Sequence, residues 1–421
     1  MITPPEIDRR AGLLAYGSSG PRFHVKLRER FEDFQVEEIL NLGAITSEPC
    51  EGCVPIYKVE KRGIDTLHMV RVLSEKLKSS VNFAGMKDKR ACATQYVSPR
   101  SARAERPQAV EHHLFRAERI GFSHRPISRR SIVGNRFELV LRGVQQTIST
   151  SIEDTFASCR VRAIPNFYGY QRFGLRGMVN HRIGREILRR NFQEAVRIIL
   201  CENRDGENSS VREAREAASD GRYHQALTLF TKSQDIERKV LRRLADHNGD
   251  FLGSLRSVPI QVRRLFIHAY QSYLFNVTLS RAAASKMELG KATNGDNWSI
   301  VDGHQLNPED VHGAREPAPD GAIPMVQLVG YSFRDYGSRF DTIVGGVLKE
   351  ENVEPKDFYV KEAQEMSSEG GFRQAPLLAK DLQYRMDDNS ASLGFSLGRG
   401  EYATSLVREI VKPEDPFSAG F

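Results

Sequence analysis

The strand patterns in this chain fall at its two ends, and that placement constrains the fold most. From Asn135 to Val144 the apolar residues Phe137, Leu139 and Leu141 alternate with polar neighbours, as in an antiparallel strand with one face buried and one wet. Phe34 and Val36 begin a similar pattern within 22–40, around an acidic turn, and residues 93–98 read as a short strand. Near the other end Leu393, Phe395 and Leu397 alternate again, followed by a Gly398-Arg399-Gly400 turn and a short helix at 403–410. Leu67, Val70, Leu73 and Leu77 carry helical spacing through 64–78. The middle is different: an amphipathic helix predicted over 186–200, a polar stretch at 203–221, a long apolar-rich helix over 258–283, and a turn-rich 284–325. Strand-rich ends around such a middle predict one domain inserted into another.

Composition narrows the function classes. The 421 residues call for about two or three domains, and 40% hydrophobic with 27% charged residues supplies a packed core. No apolar run approaches the roughly 18 residues of a membrane span, and the start MITPPEIDRR has no signal-peptide pattern, so a cytoplasmic protein is expected. Five scattered cysteines do not make a disulfide framework. The formal net charge of +7 sits entirely between Arg160 and Arg190, where eight arginines face one acid, Glu186. Into that window falls NFYGYQRFG (166–174), whose aromatics Phe167, Tyr168, Tyr170 and Phe173 suit base stacking while arginines neutralise phosphate. The plainer reading makes the aromatics core and the arginines a solvated face.

Other motifs are thinner. Pro49-Cys50-Glu51-Gly52-Cys53 spells half of a zinc deaminase signature, but the upstream histidine segment, His24-Val25-Lys26, lacks the glutamate. With no third ligand legible, the two are taken as loop cysteines and no metal site is expected. No phosphate-binding loop or dinucleotide fingerprint is present, which disfavours a nucleotide cofactor. GMKDKRACATQ (85–95) sets one carboxylate, Asp88, among Lys87, Lys89 and Arg90. Those cations favour its ionised form, available as nucleophile or base; from its spacing alone, the segment reads more readily as a charged surface turn.

Together, GMKDKRACATQ and NFYGYQRFG resemble the two signature motifs of the TruD family of tRNA pseudouridine synthases. FEDFQVEEI (31–39), GNRFELVLR (134–142), AYQSYLFN (269–276) and ATSLVREI (403–410) follow in the family's order. The length points to an archaeal or eukaryote-like type rather than a bacterial one. The resemblance implies an α/β (α+β) fold: a catalytic core with a mixed, mostly antiparallel sheet in residues 1–185 and 371–421, and a TruD-specific α/β insertion domain in 186–370. It implies isomerisation of uridine, at position 13 in the D arm of tRNA, to pseudouridine, with the base flipped from its stack and no cofactor. No protein partner is called for.

The resemblance carries Asp88 over as the essential aspartate. Lys87, Asn166 and Tyr168 are expected to support the site, Tyr168 by stacking on the flipped base and Asn166 by hydrogen bonding near Asp88. An active-site cation is expected from Arg28 or Lys26, where the family has lysine. Phe167, Gln171, Arg172, Arg176, Arg182 and Arg185 are expected to meet RNA. Thr94 and Gln95 adjoin, a small departure from the motif, and Tyr168 stands where phenylalanine is common. Two rivals remain at this point: a non-catalytic tRNA-binding protein on the same fold, and a zinc-dependent base deaminase.

Overall fold

The computed structural model describes residues 2–43, 45–101, 106–159, 162–175, 177–204, 206–301 and 310–421. Its strands are β1 (Lys26–Leu27), β2 (Phe34–Leu40), β3 (Val54–Arg62), β4 (Val81–Phe83), β5 (Cys92–Pro99), β6 (Ala109–His112), β7 (Phe115–Ser123), β8 (Ile132–Arg142), β9 (Ile164–Pro165), β10 (Asn297–Ser299), β11 (Ile323–Leu328), β12 (Gly371–Gln374), β13 (Pro376–Leu377), β14 (Lys380–Asp387) and β15 (Ser390–Gly398). The helices are α1 (Glu6–Arg10), α2 (Thr66–Lys76), α3 (Gln146–Ser158), α4 (Asn180–Leu188), α5 (Phe192–Cys201), α6 (Ser209–Ser219), α7 (Tyr223–Leu229), α8 (Asp235–Asp246), α9 (Phe251–Arg256), α10 (Ile260–Ala284), α11 (Arg339–Glu351) and α12 (Ala403–Val411).

The alternating segment at 135–144 becomes β8, the spine of the large sheet, whose order is β14-β15-β8-β2-β5-β3-β7-β6. β15 runs antiparallel to β8 from Ser390 opposite Arg142 to Gly398 opposite Gly134, joining the two chain ends in one sheet. A side chain at 134 would put its Cβ 2.3 Å from the Leu397 carbonyl oxygen, so glycine is required for this close pairing. The inward faces of these strands build an apolar cluster with α3 and α12: Phe137 stacks on Phe395 at 5.4 Å, and Phe34 meets Phe137 edge-on at 6.1 Å. Each such side chain contributes about 1.5–3 kcal/mol when taken from water. Within this sheet and among the described residues, β2 and β5 are the one parallel pair, Gln35 opposite Cys92. The sheet is therefore mixed and mostly antiparallel, as expected.

A helical body packs beside it. Val179, Ile183 and Ile187 of the α4 region share one apolar cluster with α5, α6, α8, α10 and α11. Gly184 lets α4 and α10 approach closely; a Cβ there would sit 2.1 Å from the Phe266 carbonyl oxygen. β10, β11 and β12 form a separate three-stranded sheet. The helix expected over 186–200 is two helices, α4 and α5, broken at Arg189–Asn191, where Arg190 takes φ +61° and the Asn191 side chain caps α5. The polar stretch at 203–221 contains α6, capped by Asn208. Among the described residues no helix is long and apolar enough to cross a membrane.

Candidate active site

Parallel pairing of β2 and β5 sets the starts of both strands at the same end of the sheet. The segments that lead into them, 28–33 and 84–91, therefore meet there, and each brings one charged side chain. Asp88 comes from the second and Arg28 from the first, with the Arg28 guanidinium donating to Asp88 Oδ2 at 3.2 Å. Arg28 is held rigidly: it takes φ +61°, its guanidinium stacks 3.9 Å over the Phe34 ring, and its side chain is 11% exposed. Burial pulls the Arg28 pKa below its usual value, and the Asp88 charge works against that pull. Below it, Arg142 grips buried Asp33 with bonds of 2.6–3.0 Å and so fixes the 30–33 turn.

The Asp88 loop is braced from underneath. Lys61, only 3% exposed, donates from Nζ to the carbonyl oxygens of Ile64, Lys87 and Asp88 at 2.8, 3.3 and 2.9 Å. Burial lowers its pKa to about 8. Thr66 accepts from the Lys87 amide at 2.9 Å and donates to Gln95 Oε1, while Gln95 Nε2 donates to the Gly85 carbonyl at 2.8 Å. Gln95 thus ties its own motif closed despite the altered spacing.

The second motif supplies the facing wall. Gln171 Nε2 lies 2.9 Å from both Asp88 carboxylate oxygens. Its neighbour Tyr170 is buried, with its hydroxyl donating to Asp8, and Asp8 in turn accepts from Arg408 Nε of α12 at 2.7 Å. Asn276 of α10 accepts from the Tyr168 amide at 2.8 Å and donates to the carbonyls of Ala11 and Tyr168. Between the two walls lies a cleft of about 280 Å³ lined by Arg28, Phe34, Asp88, Phe137, Gln171 and Tyr402, among others. Asp88 keeps 37% of its side chain exposed. A larger concavity, about 560 Å³, lies around the outward residues of β2, β3 and β5 and does not include Asp88.

Several expectations need correction. Lys87 lines the cleft beside Asp88 but pairs with buried Glu38, at 2.7 Å, and not with the Asp88 carboxylate. Lys26 is exposed, 3.9 Å from Glu29, so the cation beside Asp88 is Arg28. Asn166 is buried and bonded to Arg373 and the Gln374 carbonyl, with no bond to Asp88. Tyr168 is 8% exposed, edge-on to Phe275, with the Arg373 guanidinium 4.1 Å over its ring. The aromatics that line the cleft are others: Phe34, Phe137, Tyr170, Tyr402 and Phe421. Phe167 is fully buried core, and Gln171, itself exposed, directs its side-chain amide at Asp88. Arg172 lies 5.2 Å over the Tyr168 ring; Arg176 lies outside the described residues. Arg182 pairs with Glu202 at 2.6 Å and Arg185 with Glu186 and Glu351 at 3.0 and 3.7 Å. Both still line, with Arg9 and Arg10, a cleft of about 440 Å³.

Lys61 and Tyr402 were missed. Lys61 had a signal, since period-two alternation puts it on the inward face with Tyr57 and Val59. Tyr402 had only its position just before ATSLVREI.

The site joins the two motifs through one carboxylate, and the rest of the chain follows the same pattern. The family profile described as tRNA pseudouridine synthase D (TruD) matches residues 10–410. This chain belongs to the TruD family. Among relatives, the probable tRNA pseudouridine synthase D of Pyrobaculum islandicum is 33% identical over 432 residues, with 100% of both chains covered. That of Archaeoglobus fulgidus is 31% identical, covering 97% of this chain and 100% of its own. A crystal structure described as the TruD of Methanosarcina mazei superposes with a TM-score of 0.83 at 27% identity, covering 99% of this chain and 100% of its own. The TruD fold thus extends over nearly the whole molecule.

Proposed function

We propose that this TruD-family chain isomerises uridine to pseudouridine in tRNA, at position 13 of the D arm, with Asp88 as the catalytic residue and no cofactor. The observation that carries the reading is the partly open Asp88 carboxylate of the first family motif, held by Gln171 of the second and by Arg28, and turned to an aromatic-walled cleft. In the reaction the N1–C1′ bond breaks, the uracil turns, and a C5–C1′ bond forms; C5 loses its proton and N1 gains one. Asp88 serves this as a nucleophile toward sugar or base, or as a base on the sugar. Each route needs an ionised carboxylate on a fixed vector. The uridine must first leave its stack, at a cost of a few kcal/mol, and stacking on Tyr402 offsets about 1–3 kcal/mol of it. Arg9, Arg10, Arg182 and Arg185, gathered around one cleft, support phosphate contact.

The test uses tRNA transcripts carrying tritium at C5 of uridine, with wild type and Asp88→Ala side by side. Label release by wild type alone, mapped to position 13, is the expected result. Tight tRNA binding without release would replace this reading with a non-catalytic tRNA-binding protein.

A further inference from the structure

Away from the cleft, three side chains of types that can ligate a metal converge at the opposite end of β3. Cys50 and Cys53 occupy the turn that leads into that strand. The Cys53 amide donates to the Cys50 carbonyl at 3.0 Å, and Gly52 takes φ +72°, so the turn closes tightly. The two cysteines form a disulfide, their Cα atoms 5.2 Å apart. The third residue is His124, which directly follows β7. Its Nε2 lies 4.0 Å from Cys50 Sγ, and the ligand atoms of all three residues lie within 4.8 Å of one another.

The fold builds this meeting. Thr46 and Phe122 exchange both backbone hydrogen bonds, at 3.0 and 2.9 Å, which pins the 45–53 segment to the end of β7. Gly121 makes the approach possible; a Cβ there would stand 2.4 Å from Ile45 Cγ2 and 2.6 Å from the Thr46 carbonyl oxygen. Two thiolates and an imidazole are a soft, borderline donor set suited to zinc. Zn–S bonds of about 2.3 Å and Zn–N bonds of about 2.0 Å place sulfur and nitrogen roughly 3.5 Å apart in a tetrahedron. The 4.0 Å seen between Cys50 and His124 is a small side-chain rotation from that.

We propose that, with its thiols reduced, this corner of the sheet binds one zinc-class divalent ion through Cys50, Cys53 and His124, with water at the solvent-facing fourth position. Disulfide and ion use the same sulfurs, so each form excludes the other. The ion fastens the 45–53 segment to β7. It stands apart from the chemistry at Asp88: Cys53 abuts the first residue of β3, while Lys61, which holds the Asp88 carbonyl, is eight residues on, about 26 Å at strand rise.

The experiment takes full-length protein purified with a phosphine reductant, measures zinc by elemental analysis, and titrates the stripped protein with Co²⁺. About one equivalent of zinc is expected, and the visible bands of tetrahedral thiolate-bound cobalt. Loss of even an outer-shell partner weakens metal affinity about 10–100-fold, so Cys53→Ser and His124→Ala should each weaken cobalt binding at least about tenfold. Tritium release from tRNA should stay within about twofold of wild type in both variants, as a fastening remote from Asp88 requires. His124 is exposed, so its variant also separates ligand loss from misfolding. Zinc below one tenth of an equivalent with no cobalt bands would overturn the site, leaving a disulfide only. An unchanged cobalt spectrum in His124→Ala would overturn the three-residue ligand set.

Discussion

Asp88 and Asp8 grip the same short segment, yet their surroundings are opposite. Asp8 is completely buried and accepts from Tyr170 and Arg408, with Glu409 also on that arginine at 2.8 Å. Asp88, one residue along the segment through Gln171, has two partners and an open side toward the cleft. Tyr170 is bolted inward so that Gln171 can be presented outward. A carboxylate with its partners saturated and no solvent is a fastening; one held on a fixed vector with a free face is available for chemistry.

The largest separation of the two comes from removing each carboxylate. Asp88→Asn should lower tritium release by at least about 10³-fold while the melting temperature moves by no more than about 2 °C. A melting loss comparable to that of the Asp8 variant would erase the contrast. Asp8→Ala should destabilise by about 3–5 kcal/mol, since it strips a buried guanidinium of one of its two carboxylates. Urea unfolding measures this, and a cost under about 1 kcal/mol would make the knot dispensable.

Arg28→Lys sharpens the comparison at the cleft. A lysine keeps the charge but loses the planar stack on Phe34, so activity should fall about 10–100-fold with little change in stability. Full activity would mean that charge alone suffices there. The smallest effect at neutral pH belongs to Lys61. Its folded pKa, about 8, lies below its ordinary 10.5. Between those values the unfolded chain binds more protons, so this group adds stability as pH rises from about 8 toward 10. The unfolding free energy of wild type minus that of Lys61→Met should therefore grow with pH over that interval, and a flat difference would show that Lys61 does not titrate there.

The strands and the long helix were legible because they depend on short-range periodicity: Phe137, Leu139 and Leu141 face inward in β8, and 258–283 became α10. The family was legible because its motifs are contiguous runs. The break at Arg190 was not, since the apolar stripe runs on through both helices while the backbone turns between them. Nor were the roles within NFYGYQRFG, where a run of aromatics reads alike whether it faces solvent or core; packing buried Phe167 and Tyr168 and left Gln171 at the carboxylate.

By itself, then, the sequence determined the alternation that makes the sheet, the basic window, and Asp88 as the candidate carboxylate. Which residues surround Asp88 was decided by tertiary structure alone. Arg28, Gln171 and Tyr402 are far apart along the chain and meet because β2 and β5 run parallel, β15 closes on β8, and α12 anchors Asp8. The same holds for His124, 71 residues beyond Cys53. Periodicity reports which way a side chain faces within its own element; only strand pairing and packing decide what it faces.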